Sequence, residues 1–284
     1  MTLPNFVVVG AMKTGTTSLY HYLRAHPEVF MPRVKELDFF LAEANWERGL
    51  RWYERRFAAV PPRAKAVGEA STNYSKFPQF TGVPERMAAV IPHARIVYVV
   101  RDPVDRILSH YRHRVAVGSE RRPINVAIRS DPTYINASRY AMQAHRFLRH
   151  YPRERMLIMA SEALKNDRST VIEAVYRFLG VDPSYRAPVH TQEFYRTDAR
   201  TIHSPIAWHL RTTIKRRFPA AKEAKELVDA MRGAIRHNAH RPAARDRETA
   251  MPDALRRELT GRLIEDTECL RALAGDIVGS WDLT

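Results

Sequence analysis

Short apolar runs alternate along this chain with longer stretches in which apolar residues recur at helical spacing. The runs that predict strands end at Gly10, Arg101 and Ala160, and residues 64–74 predict another strand that leads into a polar loop. The run before Arg101 has a near-continuous apolar centre, which is typical of a parallel strand buried on both faces. A brief strand is also expected within residues 25–32.

Helical spacing fills most of the chain between these strands. It predicts helices over residues 18–23, 46–57, 83–91, 103–111, 137–151, 169–179 and 252–273. Asp102 and Pro103 supply an N-cap and a first-turn proline, and Gly180 supplies a C-cap. This alternation, without an internal repeat or a linker, predicts a single α/β domain over residues 1–284, with a central parallel β-sheet flanked by helices.

Composition places the chain among soluble globular proteins. Of its 284 residues, 45% are hydrophobic and 27% are charged. The first strand begins almost at once, so no secretory signal is expected, and no apolar run approaches the roughly 18 residues of a membrane span. The lone cysteine, Cys269, excludes an intrachain disulfide, favours a reducing cytoplasmic location and is expected to pack within a helix.

The charge balance is strongly basic. A formal net charge of +15 favours polyanionic ligands such as nucleotides or acidic glycans. Nucleic acid is not the expected partner, because the arginines are dispersed and no zinc-finger, RNP-type or basic-zipper pattern is present. The twelve histidines are scattered, so no metal site is predicted.

The turn after the first strand carries the first candidate chemistry. Residues 10–18 combine glycines, hydroxyl side chains and Lys13 between a strand and a helix N-terminus, which predicts an anion site. The loop differs from the nucleoside-triphosphate pattern, in which the lysine directly follows the second glycine. Here Thr16 follows Gly15 and the lysine comes three positions before Thr16. An ordinary strand–turn–helix with an exposed lysine remains the alternative.

Arg101 adds a second anion-binding group at another strand end. Ser109 lies two turns into the helix that follows, and a guanidinium with a nearby hydroxyl suits a phosphate. Ligands in open α/β sheets bind beyond the carboxyl ends of the strands, where both groups are expected. A capped helix start with a surface arginine is the alternative interpretation.

These motifs resemble those of a known family. Lys13-Thr14-Gly15-Thr16-Thr17-Ser18 is similar to the loop that holds the 5′-phosphosulfate of 3′-phosphoadenosine 5′-phosphosulfate (PAPS) in sulfotransferases. Val100-Arg101-Asp102-Pro103 with Ser109 is similar to that family's 3′-phosphate site. Lys35-Glu36-Leu37-Asp38-Phe39-Phe40 resembles the heparan sulfate-type branch, in which a glutamate before x-x-Phe-Phe is the catalytic base. The resemblance implies the P-loop-like sulfotransferase fold.

The resemblance also implies roles for individual residues. Lys13 is expected at the bridging oxygen between phosphate and sulfate, and Glu36 is expected to take a proton from the acceptor. The implied cofactor contacts are Lys13, Thr14, Gly15, Thr16, Thr17, Ser18, Arg101 and Ser109. PAPS is then the sulfuryl donor and adenosine 3′,5′-bisphosphate (PAP) the product, without a metal, in a direct in-line transfer.

Three departures from that branch concern the acceptor and the end of the cofactor site. Asp38 stands where the branch often has histidine, and Ala70 stands where it has a lysine, so the acceptor stays open between carbohydrate, glycolipid and another small metabolite. Asp38 is expected on the acceptor side. The branch's Lys-Gly-Arg cofactor loop is missing, and Arg196 or Arg200 is expected to reach the 3′-phosphate instead.

Two other functions remain open on these residues. A nucleotide kinase would use a similar loop, although the G-K-[ST] order and a strand-end aspartate for Mg²⁺ are absent from the sequence. The second alternative is a non-enzymatic protein that binds polyanions and has the same fold. The oligomeric state is not predicted.

Overall fold

The computed structural model of the protein describes residues 2–192, 194, 250–279 and 281. One parallel sheet runs through these residues in the order β2-β3-β1-β4-β5. Its strands are β1 Phe6–Gly10, β2 Val29–Phe30, β3 Ala66–Ala70, β4 Arg95–Val100 and β5 Met156–Ala160. The strands agree with the sequence-based expectations to within a few residues.

Helices cover both faces of the sheet. They are α1 Thr16–Ala25, α2 Leu50–Glu54, α3 Val83–Val90, α4 Pro103–Ala116, α5 Ile124–Ser130, α6 Thr133–Asn136, α7 Tyr140–Leu148, α8 Ser161–Asn166, α9 Arg168–Leu179 and α10 Asp253–Ala274. Side chains that alternate along β1 enter two different cores, with Val7 and Val9 in one and Phe6 and Val8 in the other. The two-sided burial explains why these strands are apolar throughout.

Two predicted helices differ from the structure. The helix expected over residues 46–57 is divided into short turns at Gly49, whose φ of 74° lies in the left-handed region. The helix expected over residues 137–151 is shorter, because α7 begins at Tyr140. The Asp266 carboxylate in α10 accepts hydrogen bonds from the first-turn N–H groups of α7, and that distant cap is invisible to local spacing.

The structure places Cys269 in a helix, as predicted, but the prediction that its side chain is packed is wrong. The residue lies on a helix, α10, but its thiol is exposed instead of packed. Leu263, Thr267 and Leu270 form the buried stripe of that helix, and Cys269 falls on its solvent side.

The order of the strands creates a crevice between β1 and β4. The chain leaves β1 toward β2 on one side, and after β3 it crosses to β4 and β5 on the other. Such a switch point is where open α/β sheets bind ligands, beyond the carboxyl ends of the strands. The Ala11 N–H donates to the Val99 carbonyl at 2.7 Å, so the turn after β1 lies directly beside the end of β4.

Among the helices that the structure describes, none is long and apolar enough to cross a membrane.

Candidate active site

The turn between β1 and α1 has the geometry of an anion-binding loop. Gly15 is the N-cap of α1 in the left-handed conformation, with φ 88°, and Lys13 has φ 75°. The N-cap residue, Gly15, has no side chain that could cap this helix end, and the first turn contains no acidic residue. Backbone N–H groups at such an end, together with the helix dipole, favour a bound anion.

The hydroxyl side chains of this loop divide into two kinds. Thr14 is buried and donates to the Ala11 carbonyl at 2.7 Å, and the Ser18 hydroxyl accepts from the Phe194 N–H at 3.2 Å. These two hydroxyls therefore form hydrogen bonds within the protein. The predicted contacts of Thr14 and Ser18 with the cofactor then depend on their backbone N–H groups. Thr16 is buried at the helix start, and Thr17 is partly exposed.

Arg101 follows β4 and begins the second predicted anion site. Its guanidinium lies 3.6 Å from a carboxylate oxygen of Asp105, one turn into α4, and its side chain keeps 32% exposure. Ser109 lies one further turn along the same helix face. Arg256 of α10 reaches the other Asp105 oxygen at 3.2 Å, so the structure adds to this area an arginine that the sequence did not indicate.

Glu36 lies within the loop that follows β2, against the end of β3. Its N–H donates to the Ala70 carbonyl at 2.9 Å, which attaches the loop to the sheet edge. One carboxylate oxygen accepts the Thr72 N–H at 2.6 Å and the Thr72 hydroxyl at 3.2 Å. The other oxygen pairs with the Lys35 ammonium group. The carboxylate is thus fixed on one side by the protein and accessible on the other, with 34% exposure.

Asp38 has an asymmetric environment. One of its carboxylate oxygens accepts from the Asn73 amide at 2.8 Å, whereas the other is buried without a partner among the described residues. Burial and, to a smaller extent, the neighbouring Glu36 carboxylate together raise the pKa of Asp38 to about 6. A half-satisfied buried carboxyl group beside Glu36 is suited to bind a polar group of a ligand.

A buried carboxylate, Glu69, anchors the end of β3. It accepts hydrogen bonds from the hydroxyl groups of Tyr53 at 2.5 Å, Ser71 at 2.8 Å and Tyr74 at 3.0 Å. Burial raises the pKa of Glu69 to about 7, although the three hydroxyl groups oppose this shift. Only the ionised carboxylate accepts all three bonds without a competing proton of its own.

Two of these hydroxyls extend the network to the loop that carries Glu36. The Asp38 N–H donates to the Ser71 hydroxyl at 3.1 Å, and the Phe40 N–H donates to the Tyr74 hydroxyl at 3.4 Å. Each hydroxyl therefore donates to Glu69 and accepts from the loop. Local spacing did not identify this function of Glu69, because the network joins Ser71 and Tyr74 to loop residues that lie 33 and 34 positions away in the sequence.

The predicted catalytic and acceptor-side residues share an uncommon backbone conformation. Among the described residues, the non-glycine positions with positive φ are Lys13, Glu36 and Asp38, at 75°, 60° and 49°. Such conformations cost free energy and persist where the surrounding structure enforces them, often at functional sites. The sheet edge brings these residues into one region, whereas Arg196 and Arg200 lie outside the described residues.

Lys76 is a further charged group in this region that the sequence did not indicate. It follows the 3₁₀ turn Thr72–Ser75 and donates to the Asn73 side-chain oxygen at 2.6 Å. Burial lowers the pKa of Lys76 to about 8. Within the described ranges, no group of three or more His, Cys, Asp or Glu residues could hold a metal ion.

Comparison with known proteins gives a consistent result. A family model described as "Sulfotransferase domain" matches residues 3–221. The chain is 32% identical over 203 residues to the human bifunctional heparan sulfate N-deacetylase/N-sulfotransferase 3, and 29% identical over 214 residues to the Drosophila melanogaster enzyme. Each match covers 64% of this chain but only 23% and 20% of those relatives, so the chain corresponds to less than a quarter of their length.

Solved structures show the same fold. A sulfotransferase from Alicyclobacillus acidocaldarius matches with a TM-score of 0.69 and 26% identity, and the match covers 96% of both chains. Mouse sulfotransferase SULT7A1, complexed with PAP, matches with a TM-score of 0.51 over 95% of this chain and 88% of its own. Its identity is 14%, so that likeness concerns the fold alone. The predicted fold is confirmed.

Proposed function

Because the chain belongs to the sulfotransferase domain family, we propose that it transfers the sulfuryl group of PAPS to a hydroxyl or amine of a small-molecule or glycan acceptor. The predicted family membership is confirmed by the family match, and the relatives and solved structures support a PAPS-dependent sulfotransferase activity. One observation supports the donor most strongly. The uncapped N-terminus of α1 lies beside Lys13, on the same sheet edge as Arg101.

The loop at residues 11–15 fits the 5′ end of PAPS. Its backbone N–H groups and the positive end of α1 suit a phosphate, and Thr16 and Thr17 add hydroxyl groups beside it. PAPS, when bound, supplies an activated sulfuryl group. In this proposal the Lys13 ammonium group stabilises the negative charge that grows on the bridging oxygen as the sulfur–oxygen bond breaks.

Arg101 and Ser109 are proposed to bind the 3′-phosphate. The ion pair between Arg101 and Asp105 is partly exposed and 3.6 Å long, and pairs of this kind contribute only about 0–1 kcal/mol. A phosphate can therefore recruit the guanidinium at small cost. Arg256 supports the arrangement, since it holds Asp105 from the opposite side.

Glu36 is proposed as the general base. Thr72 fixes one oxygen of its carboxylate, and the oxygen near Lys35 is the one that an acceptor can approach. The acceptor's proton passes to Glu36 while its oxygen or nitrogen forms a bond to sulfur and the bond to the bridging oxygen breaks. The transfer is in line and direct, so no covalent enzyme intermediate forms.

The acceptor is proposed to be a carbohydrate, a glycolipid or another small metabolite with a free hydroxyl or amine. Several relatives carry N-sulfotransferase in their names, which supports including glycans with unsubstituted amino groups. Asp38 lies two residues beyond the proposed base, and one of its oxygens has no hydrogen-bond partner in the part of the chain that the structure describes, so we propose that it accepts a hydrogen bond from the acceptor.

A transfer assay with sulfur-35-labelled PAPS tests this function. The panel contains amino-sugar glycans, other carbohydrates, glycolipids and phenols, each with and without a metal chelator. We expect label in one acceptor class, with turnover unaffected by the chelator. A protein that binds PAP but labels nothing in the panel favours a polyanion-binding role. Phosphoryl transfer from Mg²⁺-ATP to the same acceptors would favour a kinase.

A further inference from the structure

Lys76 lies next to the loop that is proposed to hold the donor. The preceding residue, Ser75, packs on the end of β1 so closely that a Cβ atom on Gly10 would lie 2.0 Å from the Ser75 hydroxyl oxygen. Gly10 is the residue from which the anion-binding loop departs. The chain therefore passes from a contact with the donor loop directly to the Lys76 ammonium group.

The same turn contacts the acceptor side of the site. Asn73 accepts from the Lys76 ammonium at 2.6 Å through its carbonyl oxygen and donates to Asp38 at 2.8 Å through its amide nitrogen. Thr72, one residue earlier, holds the Glu36 carboxylate. A single five-residue stretch thus touches the donor loop, the proposed base and the proposed acceptor ligand.

Charged groups of both signs surround the Lys76 ammonium group. The carboxylates of Glu36 and Asp38 favour its protonated form, whereas Lys35 and the fully buried Arg106 oppose it. Burial and Arg106 lower its pKa to about 8, and His110 faces it from α4 as a buried, neutral group.

The Lys76 ammonium group forms no ion pair with a carboxylate that the structure describes. Among the described residues, no carboxylate oxygen lies within the 4 Å of a salt bridge, and the acceptor of its hydrogen bond is the neutral Asn73 amide. An ammonium group has three donors, so donors remain for a further acceptor. Keeping a partly buried lysine charged has a desolvation cost, which a bound anionic group would offset.

We propose that Lys76 is a further catalytic residue of this site, in which its ammonium group binds oxygens of the sulfuryl group as it passes from donor to acceptor. The inference rests on the proposed function. Sulfuryl transfer spreads negative charge over oxygens that face the protein, and a cation already in place stabilises that charge without reorganisation. Lys13 then acts on the leaving oxygen, and Lys76 acts on the transferred group.

Turnover of neutral and charged variants tests this role. We expect Lys76→Met, which keeps the aliphatic stem, to lower kcat by about 10²–10³-fold, while the PAP dissociation constant changes by less than about threefold. Lys76→Arg should recover part of the lost turnover. Lys65→Met is the matched control, because Lys65 is exposed and lies before β3 at the opposite edge of the sheet. Its kcat should equal that of the wild type.

The pH profile separates catalysis from a structural role. Loss of the Lys76 proton should reduce wild-type turnover as the pH rises through about 8. In Lys76→Arg this alkaline limb should move beyond the range of the assay, because a guanidinium stays protonated there. A merely structural lysine would leave the limb in place.

Two results would overturn the inference. One is wild-type kcat in Lys76→Met, and the other is an unchanged alkaline limb in Lys76→Arg. If the neutral variant does not fold, the arginine variant and its pH profile decide alone. A wild type that transfers no sulfuryl group to any acceptor would remove the proposed function as well, whereas an active wild type with an unaffected Lys76→Met removes only the role of Lys76.

Discussion

The proposed donor side and the proposed acceptor side of this site are formed by different chemical groups. The donor side consists mainly of backbone N–H groups at the start of α1, with Lys13 and Arg101 added at neighbouring strand ends. The acceptor side consists of carboxyl groups, Glu36, Asp38 and Glu69, held by side-chain hydrogen bonds. In the proposed function, the donor side presents positive charge to an anion, and the acceptor side places carboxyl groups where the acceptor loses its proton.

The difference predicts how each side responds to change. Backbone N–H groups do not titrate, so the donor side should bind its ligand over a wide pH range. Burial holds the pKa of Asp38 and Glu69 at about 6 and 7, so the acceptor side should change with pH near neutrality. Substitutions on the two sides should therefore separate binding from turnover.

Glu36→Gln should give the largest effect. Removing the base while keeping its shape should lower kcat by about 10²–10⁴-fold and leave PAP binding intact. Initial rates with labelled PAPS, together with PAP titration, measure both quantities. Glu43→Gln is the control, because Glu43 is an exposed carboxylate in the same loop. Retention of more than about half of the wild-type kcat in Glu36→Gln would exclude Glu36 as the base.

Lys13→Ala should lower kcat by about 10²–10³-fold, because it removes the charge proposed to stabilise the leaving oxygen. PAP lacks the sulfuryl group, so its binding should weaken less than turnover. Thermal unfolding verifies that the variant is folded, and Lys65→Ala is the matched control. Equal losses in PAP affinity and in kcat/KM would instead assign Lys13 to binding alone.

Arg101→Ala should change binding more than catalysis. Losing a charged hydrogen-bond donor to a phosphate costs about 1.5–3 kcal/mol, so the PAP dissociation constant should rise about 10- to 100-fold. At saturating PAPS the turnover should approach that of the wild type. Arg257→Ala is the control, because Arg257 is exposed and adjacent to Arg256. An unchanged PAP affinity in Arg101→Ala would place the 3′-phosphate elsewhere.

Glu69→Gln should give the smallest of these effects, about a tenfold loss of kcat/KM for the acceptor. The amide cannot accept all three hydroxyl donors, so the loop at Asp38 and Phe40 loses part of its support. PAP binding should not change. Tyr53→Phe removes one of these donors without adding an amide, and should cost less.

The pH dependence of turnover gives a second test of Glu69→Gln. Because the pKa of Glu69 is raised to about 7 in the folded protein, the ionised form that accepts all three bonds is lost as the pH falls through 7. Wild-type turnover should therefore decline below about pH 7, and again below about pH 6 as Asp38 becomes protonated. Glu69→Gln should lack the upper of these two steps. Two steps in the variant would contradict the proposed network.

Sequence alone predicted much of the donor side, because its signals are local. A strand, a turn with Gly10 and Gly15 and a helix start occupy consecutive residues, and the Asp102–Pro103 cap follows β4 directly. Local spacing also predicted the parallel sheet correctly. It did not predict the break at Gly49 or the later start of α7. The start of α7 depends on Asp266, which lies more than a hundred residues away in the sequence.

The acceptor side could be predicted only in part. Glu36 and Asp38 were identified by resemblance, but their partners Thr72 and Asn73 are 36 and 35 residues away and meet them only where β3 ends beside the loop. The link from the Glu69 network to the loop at Asp38 and Phe40, and the position of Lys76, also depend on contacts between distant segments at the sheet edge. Side-chain hydrogen bonds between distant segments leave no periodic pattern in a sequence.

Calorimetric titration of the wild type with PAP in the presence of a metal chelator measures the proposed donor site without an acceptor. We predict one-to-one binding that does not require Mg²⁺, persists from pH 6 to 8 and weakens in Arg101→Ala but not in Glu36→Gln. An absence of PAP binding in the chelator, with ATP binding that appears on addition of Mg²⁺, would exclude the proposed PAPS site.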